Sequence, residues 1–236
     1  MLKKIINTSN STFNWLIPKR CMVCATKLAY HSHPCCLECY AQLPFQHHCC
    51  SQCGQVFSSN LDYCGRCLFS PPPFDACFCP FRYEGLIKEH IQKFKYHDKP
   101  ELSVILAEAL HTEILAFDLP FPDLLIPVPM HINRLRERGY NQASLLAKSL
   151  AKLTNTPMSN KVVRKKFATK PQVNQSLRAR KNNVKGSFYM PTQNCVKSIA
   201  IVDDVVTTGS TAAEITKILK RNGVDYVQVW GLAHTN

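Results

Sequence analysis

The sequence predicts an α/β protein: a mostly parallel sheet flanked by helices, preceded by a small cysteine-rich unit. Three observations carry this. After residue 73, strand-like and helix-like segments alternate, the pattern of a parallel sheet with crossover helices. Before it, ten of the thirteen cysteines lie between Cys21 and Cys67, with Cys77, Cys79 and Cys195 outside that run. Between the two, Ser70-Pro71-Pro72-Pro73 can continue neither a helix nor a central strand and reads as a stiff connector. The expected organisation is residues 1–73 as the cysteine-rich unit and residues 74–236 as the α/β domain, which is close to ordinary domain size.

In the first unit, four Cys-x-x-Cys pairs follow one another: Cys21/Cys24, Cys36/Cys39, Cys50/Cys53 and Cys64/Cys67. Their starts are 15, 14 and 14 residues apart. Two thiolates at this spacing grip one side of a tetrahedral zinc, and a second pair completes the shell, so eight ligands make two four-cysteine sites. One such pair suits redox chemistry, but four at even spacing suit metal, with zinc expected ahead of an iron–sulfur cluster or disulfides. Sequential pairing, first with second and third with fourth, is expected. Cys35 and Cys49 neighbour ligands, but the two-residue spacing selects Cys36 and Cys50. His31, His33, His47 and His48 read as surface residues, and Cys195 as no ligand. So short a unit, poor in large apolar residues, needs the metal to fold.

In the second unit, Phe78 to Tyr83 is a short apolar and aromatic strand. Leu86, His90, Ile91 and Phe94 recur at helical spacing, as do Leu102, Ile105, Leu106, Ala109 and Leu110. Asp123 to Pro129 is a buried strand closed by prolines. Asn141 to Leu153 is a long helix with Leu145, Leu146, Leu150 and Leu153 on one side. Ser198 to Asp203 is an apolar strand ending in acid, Thr211 to Arg221 a helix stopped at Asn222-Gly223, and Tyr226 to Leu232 a last strand.

Composition removes several function classes. Hydrophobic residues make up 45% and charged ones 19%, which excludes a disordered chain. No stretch approaches the roughly 18 apolar residues of a membrane helix. The start of the chain has a basic pair, but Asn7 to Ser11 interrupt it before a secretory apolar segment forms. A soluble, cytoplasmic protein with reduced thiols is expected. The formal charge of +13, from 29 Lys and Arg against 16 Asp and Glu, points to a phosphate-rich partner.

The segment from Ile201 to Thr211 is the most informative. An apolar strand ends in Asp203 and Asp204, and a loop rich in Thr, Gly and Ser then opens a helix. Gly209 lets backbone amides approach an anion, the hydroxyls of Thr207, Thr208, Ser210 and Thr211 add donors, and the helix dipole favours negative charge. This is a cradle for a terminal phosphate, with two acids placed to accept from sugar hydroxyls. Adjacent carboxylates repel, so burial requires a cation or hydroxyl donors beside them; ribose with Mg²⁺ suits both.

Val202 to Thr211 resembles the phosphoribosyl pyrophosphate (PRPP) motif of type I phosphoribosyltransferases. With two four-cysteine clusters ahead of it, and with Ile126-Pro127-Val128-Pro129, Arg138-Gly139-Tyr140-Asn141-Gln142 and Gln172, Arg180, Asn183 and Phe188, the chain resembles the ComF/GntX family of competence-related proteins from Cys21 to Trp230. The resemblance implies a type I phosphoribosyltransferase-like fold behind a double zinc-ribbon-like unit. It implies that Thr207, Thr208, Gly209, Ser210 and Thr211 hold the 5′-phosphate. Asp203 and Asp204 would contact the ribose directly or through Mg²⁺, and would be the catalytic residues of any transfer. Pro127, Val128 and Pro129 fall at the family's pyrophosphate loop, where Met130 and His131 replace the usual small residues; Arg134 and Arg138 are placed to supply positive charge.

Residues 161–185 carry nine Lys or Arg and no acid. Such a run suits either a solvated face or an electrostatic track for single-stranded DNA made by Lys161, Arg164, Lys165, Lys166, Arg178, Arg180 and Lys181, with Phe167, Phe188 and Tyr189 as stacking or core residues. Three functions fit these features. One is a ComF-type protein handling single-stranded DNA in natural transformation together with competence-machinery proteins. The others are an active phosphoribosyltransferase with an unknown acceptor and a non-catalytic PRPP-binding regulator.

Overall fold

The computed structural model describes residues 20–28, 34–57, 62–166, 186–191 and 196–235. The chain forms two compact units, Met1–Gln42 and Leu43–Asn236. The first contains the opening two cysteine pairs and the short helix α1 (Leu37–Ala41). The second contains the other two pairs, the short helix α2 (Gly65–Phe69) and all of the sheet. The sequence places a boundary after Pro73; the compact units divide after Gln42, because backbone bonds tie residues 44–51 to the strands beyond the prolines. Arg82 N donates to Pro44 O at 2.7 Å, Gln46 N to Pro80 O at 2.8 Å and Cys77 N to Ser51 O at 3.0 Å.

The larger unit is a parallel sheet with helices on both faces, as expected for α/β alternation. Its strands are β1 (Ala76–Phe78), β2 (Phe81–Arg82), β3 (Leu124–Pro127), β6 (Ser198–Val206) and β7 (Tyr226–His234). The order is β1–β7–β6–β3, with β2 continuing beside β7 where β1 stops. The expected single strand from Phe78 to Tyr83 is thus two pieces, because Pro80 has no N–H to donate to the ladder. A separate antiparallel pair joins β4 (Arg164–Lys165) to β5 (Phe188–Tyr189).

Alternation along β6 divides the core. Ile199 and Ile201 face a cluster with Ile215 and Leu219, on the side of helix α7 (Ser210–Arg221). The opposite side is covered by α4 (Leu102–Ala116) and α6 (Gln142–Thr154), which pack on each other. Helix α3 (Gly85–Tyr96) packs on α4 and buries Ile87, His90, Ile91 and Phe94. In α6 the buried stripe is Ala143, Leu146, Ala147 and Leu150, while Leu153 is exposed; the expected four-leucine face is rotated by the 3.6-residue repeat. A helix not anticipated from the sequence, α5 (Ile132–Arg138), buries none of its residues and so leaves no periodic signal.

Among the described residues, no helix is long and apolar enough to cross a membrane.

Candidate functional site

The eight paired cysteines form two clusters, Cys21/Cys24/Cys36/Cys39 and Cys50/Cys53/Cys64/Cys67. Pairing is sequential, first with second and third with fourth. All four sulfurs of each cluster lie within 4.8 Å of one another, with Cys24–Cys36 at 3.8 Å and Cys53–Cys64 at 3.7 Å. Ligands on a tetrahedron with Zn–S bonds near 2.3 Å sit roughly 3.8 Å apart, whereas a disulfide would bring sulfurs to about 2.05 Å. The donor set and its geometry therefore fit zinc. Burial pushes the Cys21 thiol up, but the backbone amides of Cys24, Cys36 and Val23 outweigh it and bring it down to about 6. Burial and the amides of Cys64, Cys53 and Gln52 act in the same way on Cys50, which falls to about 7. The neighbouring cysteines behave oppositely: burial pushes Cys35 up to about 12 and Cys49 up to about 11, and both stand outside the clusters. The amide donors thus favour the charged form of Cys21 and Cys50, and burial disfavours it at Cys35 and Cys49.

The acidic pair lies inside β6 rather than at its end. The strand continues through Val205 and Val206, which pair with Ala233 and His234. Asp203 Oδ1 accepts from Asp204 N at 2.9 Å, and Asp204 Oδ1 accepts from Val205 N at 3.0 Å. The cation that two neighbouring carboxylates require is supplied by the protein: Lys95 Nζ from α3 lies 2.6 Å from Asp204 Oδ2, and both side chains are mostly buried. Burial works against the Lys95 charge, but Asp204 and then Asp203 hold its amine above the ordinary range. Among the described residues, Asp203 has no such direct partner. Burial first, and then the Asp204 carboxylate, push it well above ordinary carboxylate values.

The loop after β6 turns at Gly209, with φ +66°, before α7 starts. A Cβ there would approach Phe74 to 3.2 Å, so both backbone sign and space select glycine. Thr208 Oγ1 and Ser210 Oγ share a 2.7 Å hydrogen bond. Thr208, Gly209 and Ser210 line a cavity of about 400 Å³ together with Arg66, Pro71 to Pro73 and Lys217. The prolines read as a connector therefore also form a wall.

Across the site, Val128 N donates to Val202 O at 2.9 Å, and Asn141 Nδ2 donates to Val128 O at 3.0 Å. This fixes Pro127, Val128 and Pro129 at the C-terminal ends of the strands. His131 caps α5 by accepting from Asn133 N at 3.2 Å. Arg138 lies 4.9 Å over the Tyr96 ring and donates to Gln142 Oε1 at 3.4 Å. Gln142 is buried, and among the described residues its Nε2 has no hydrogen-bond partner.

Residues 12–68 match the double zinc ribbon domain family. The chain is 34% identical to DNA utilization protein YhgH of Salmonella typhi, across 93% of this chain and 98% of that one. It is 33% identical to competence protein F of Haemophilus influenzae, across 91% and 96%. The chain belongs to the ComF/GntX family. A purine phosphoribosyltransferase from Pyrococcus horikoshii is a structural neighbour with TM-score 0.33 and 19% identity, covering 55% of this chain and 70% of that one.

The basic residues of this ComF/GntX chain lie partly in view. Lys161, Arg164 and Lys166 are exposed and Lys165 is half-buried, whereas Arg178, Arg180 and Lys181, like Gln172, Asn183, Phe167 and Cys195, lie outside the described residues. Lys165 sits 5.6 Å over the Phe188 ring and Lys166 5.7 Å over Tyr189. Burial and the nearby Arg134 pull the Lys165 amine below its ordinary value, so Arg134 adds to the positive field around Lys165. Nothing in the sequence marks Lys95 or Arg66 as site groups, since each meets its surroundings only in the folded chain.

Proposed function

We propose that this protein serves DNA handling in natural competence, with a PRPP-binding domain and a basic surface for single-stranded DNA. The carrying observation is the acidic pair beside a glycine-turned hydroxyl loop, in a chain that matches competence protein F over nearly its whole length. Asp203 and Asp204 would take ribose hydroxyls or Mg²⁺, residues 207 to 211 the 5′-phosphate, and Gln142 with Arg134 and Arg138 the pyrophosphate. Bound PRPP would supply an activated anomeric carbon. The chain's own contribution is to bind, orient and neutralise charge.

Calorimetric titration with PRPP and Mg²⁺ tests the sugar-phosphate site. Wild-type protein should bind, and Asp203→Asn should weaken binding at least about tenfold, the loss of one charge-assisted bond. A wild-type protein that ignores PRPP overturns this part of the reading. The same variant has a stability signature. Asp203 titrates higher in the folded chain than its unfolded value of 3.8, so its charge costs nothing below that value and destabilises the fold as pH rises through the folded value. Asp203→Asn should therefore raise the melting temperature at neutral pH, and the gain should vanish below about pH 4.

For the DNA surface, the logarithm of single-strand affinity should fall with the logarithm of salt by about 0.7 per phosphate contact. Replacing Lys165 and Lys166 with alanine should weaken all sequences alike and flatten the slope by about 1.4, two contacts' worth. An unchanged slope would move the contact surface elsewhere.

A further inference from the structure

We propose that Lys95 is a built-in cation that takes the place of a divalent metal ion at the acidic pair, so that the pair itself holds no Mg²⁺. The inference rests on the sugar-phosphate reading only for its ligand, and it narrows that reading. The acids serve ribose hydroxyls, and Lys95 serves the acids. A Mg²⁺ ion that arrives on a pyrophosphate group is a separate matter.

The coordination demands of Mg²⁺ are not met at Asp204. Mg²⁺ takes oxygen ligands at roughly 2.0–2.1 Å in near-octahedral geometry and keeps several waters. Asp204 offers it no open oxygen. Oδ1 accepts from Val205 N at 3.0 Å, and Oδ2, closed to solvent, is in ion-pair contact with Lys95 Nζ at 2.6 Å. A hydrated dication would have to displace an ammonium already at contact distance, and the like charges repel on approach. Asp203 is the more exposed member of the pair, and its Oδ1 accepts from Asp204 N at 2.9 Å. That leaves a single carboxylate oxygen, enough to accept from a ribose hydroxyl and too few to hold a dication unaided.

The fold, rather than the flexible lysine stem, sets the position of this cation. On one side of Lys95, Phe94 is fully buried and stacks on Tyr140 at 5.9 Å between centroids. The carbonyl of Phe94 accepts from Tyr140 Oη at 2.6 Å. On the other side, Tyr96 lies under Arg138 at 4.9 Å. Helix α3 is thus clamped on both sides of Lys95 to the segment that leads into α6. Lys95 stands in the last turn of α3, where the helix dipole favours positive charge.

Mn²⁺, a paramagnetic stand-in for Mg²⁺, tests this on the full-length, zinc-loaded protein. In wild type the amide NMR signals of Val205 and Val206 should survive about 1 mM Mn²⁺; in Lys95→Met they should broaden at concentrations about tenfold lower, because the pair has lost its own cation. Mg²⁺ should raise the melting temperature of Lys95→Met and leave that of wild type unchanged. Lys95→Arg, which keeps a cation at the position, should behave as wild type. Ribose 5-phosphate, which carries no pyrophosphate, should bind wild type with equal affinity, within about twofold, in resin-treated buffer and in Mg²⁺. The proposal is overturned if Mn²⁺ broadens Val205 and Val206 in wild type, or if Mg²⁺ tightens ribose 5-phosphate binding by about tenfold or more. Both results are read on wild-type protein and stand even where Lys95→Met fails to fold. If ribose 5-phosphate binds under neither condition, the sugar-phosphate reading falls, and the Mn²⁺ result still decides the role of Lys95.

Discussion

Cys50→Ser will strip one of two zinc ions from the chain and unfold residues 46–70, while the parallel sheet persists. Cys50 is fully buried, and the second cluster's own core is its four ligands, with Phe57 alone packed against them among the described residues. Nothing else in that ribbon replaces the metal, and a structural zinc contributes roughly 10 kcal/mol or more of folding free energy. Elemental analysis should fall from two zinc per chain to one. Hydrogen exchange should quicken across the ribbon but not in β6 and β7. Cys35→Ser and Cys49→Ser should each keep both ions, because those thiols stand outside the clusters. Iron in place of zinc, or two ions retained by Cys50→Ser, would defeat this account.

Lys95→Met will destabilise the protein by about 3–5 kcal/mol, the cost of leaving a buried carboxylate without its cation. The pair is short and mostly buried, and Asp203 beside it already titrates high, so the lost positive charge is felt by two acids. Adding Asp204→Asn should recover most of the loss, since the double variant no longer buries an unpaired charge. A chemical-denaturation cycle over the four proteins measures the coupling directly. If Lys95→Met costs under 1 kcal/mol, or if the second change brings no recovery, the pair is not holding the site together.

What was legible in the sequence was local. The four cysteine pairs and the buried strands carry their meaning within a few residues, and they form where that spacing implies. The turn at Gly209 is local in the same way. The extent of β6 was not legible: acids within a strand look like its end, because the carboxylates interrupt the apolar run before Val205 and Val206 resume it. Lys95 was hidden because its helix shows only an apolar stripe, and nothing in Phe94-Lys95-Tyr96 announces an acid more than a hundred residues away. α5 was hidden for the opposite reason, since it has no buried face to betray it. Long-range electrostatics leaves no period in a sequence, and packing does.

The bonds from residues 44–51 to β1 and β2 have a further consequence. A parallel sheet has two outer strands whose unpaired groups invite another chain to add to them. On one side Leu125 N donates to Pro157 O at 2.9 Å and Leu125 O accepts from Ser159 N at 3.0 Å, which closes that border with the chain's own loop. On the other the border is closed by the stretch running into the second thiolate turn, through Cys77 N to Ser51 O and the bridge between Phe45 and Phe81. A metal folding this turn would therefore also help to keep that border covered. Metal-starved protein is expected to bare a hydrogen-bonding border and to associate strand to strand, which light scattering after chelation would detect.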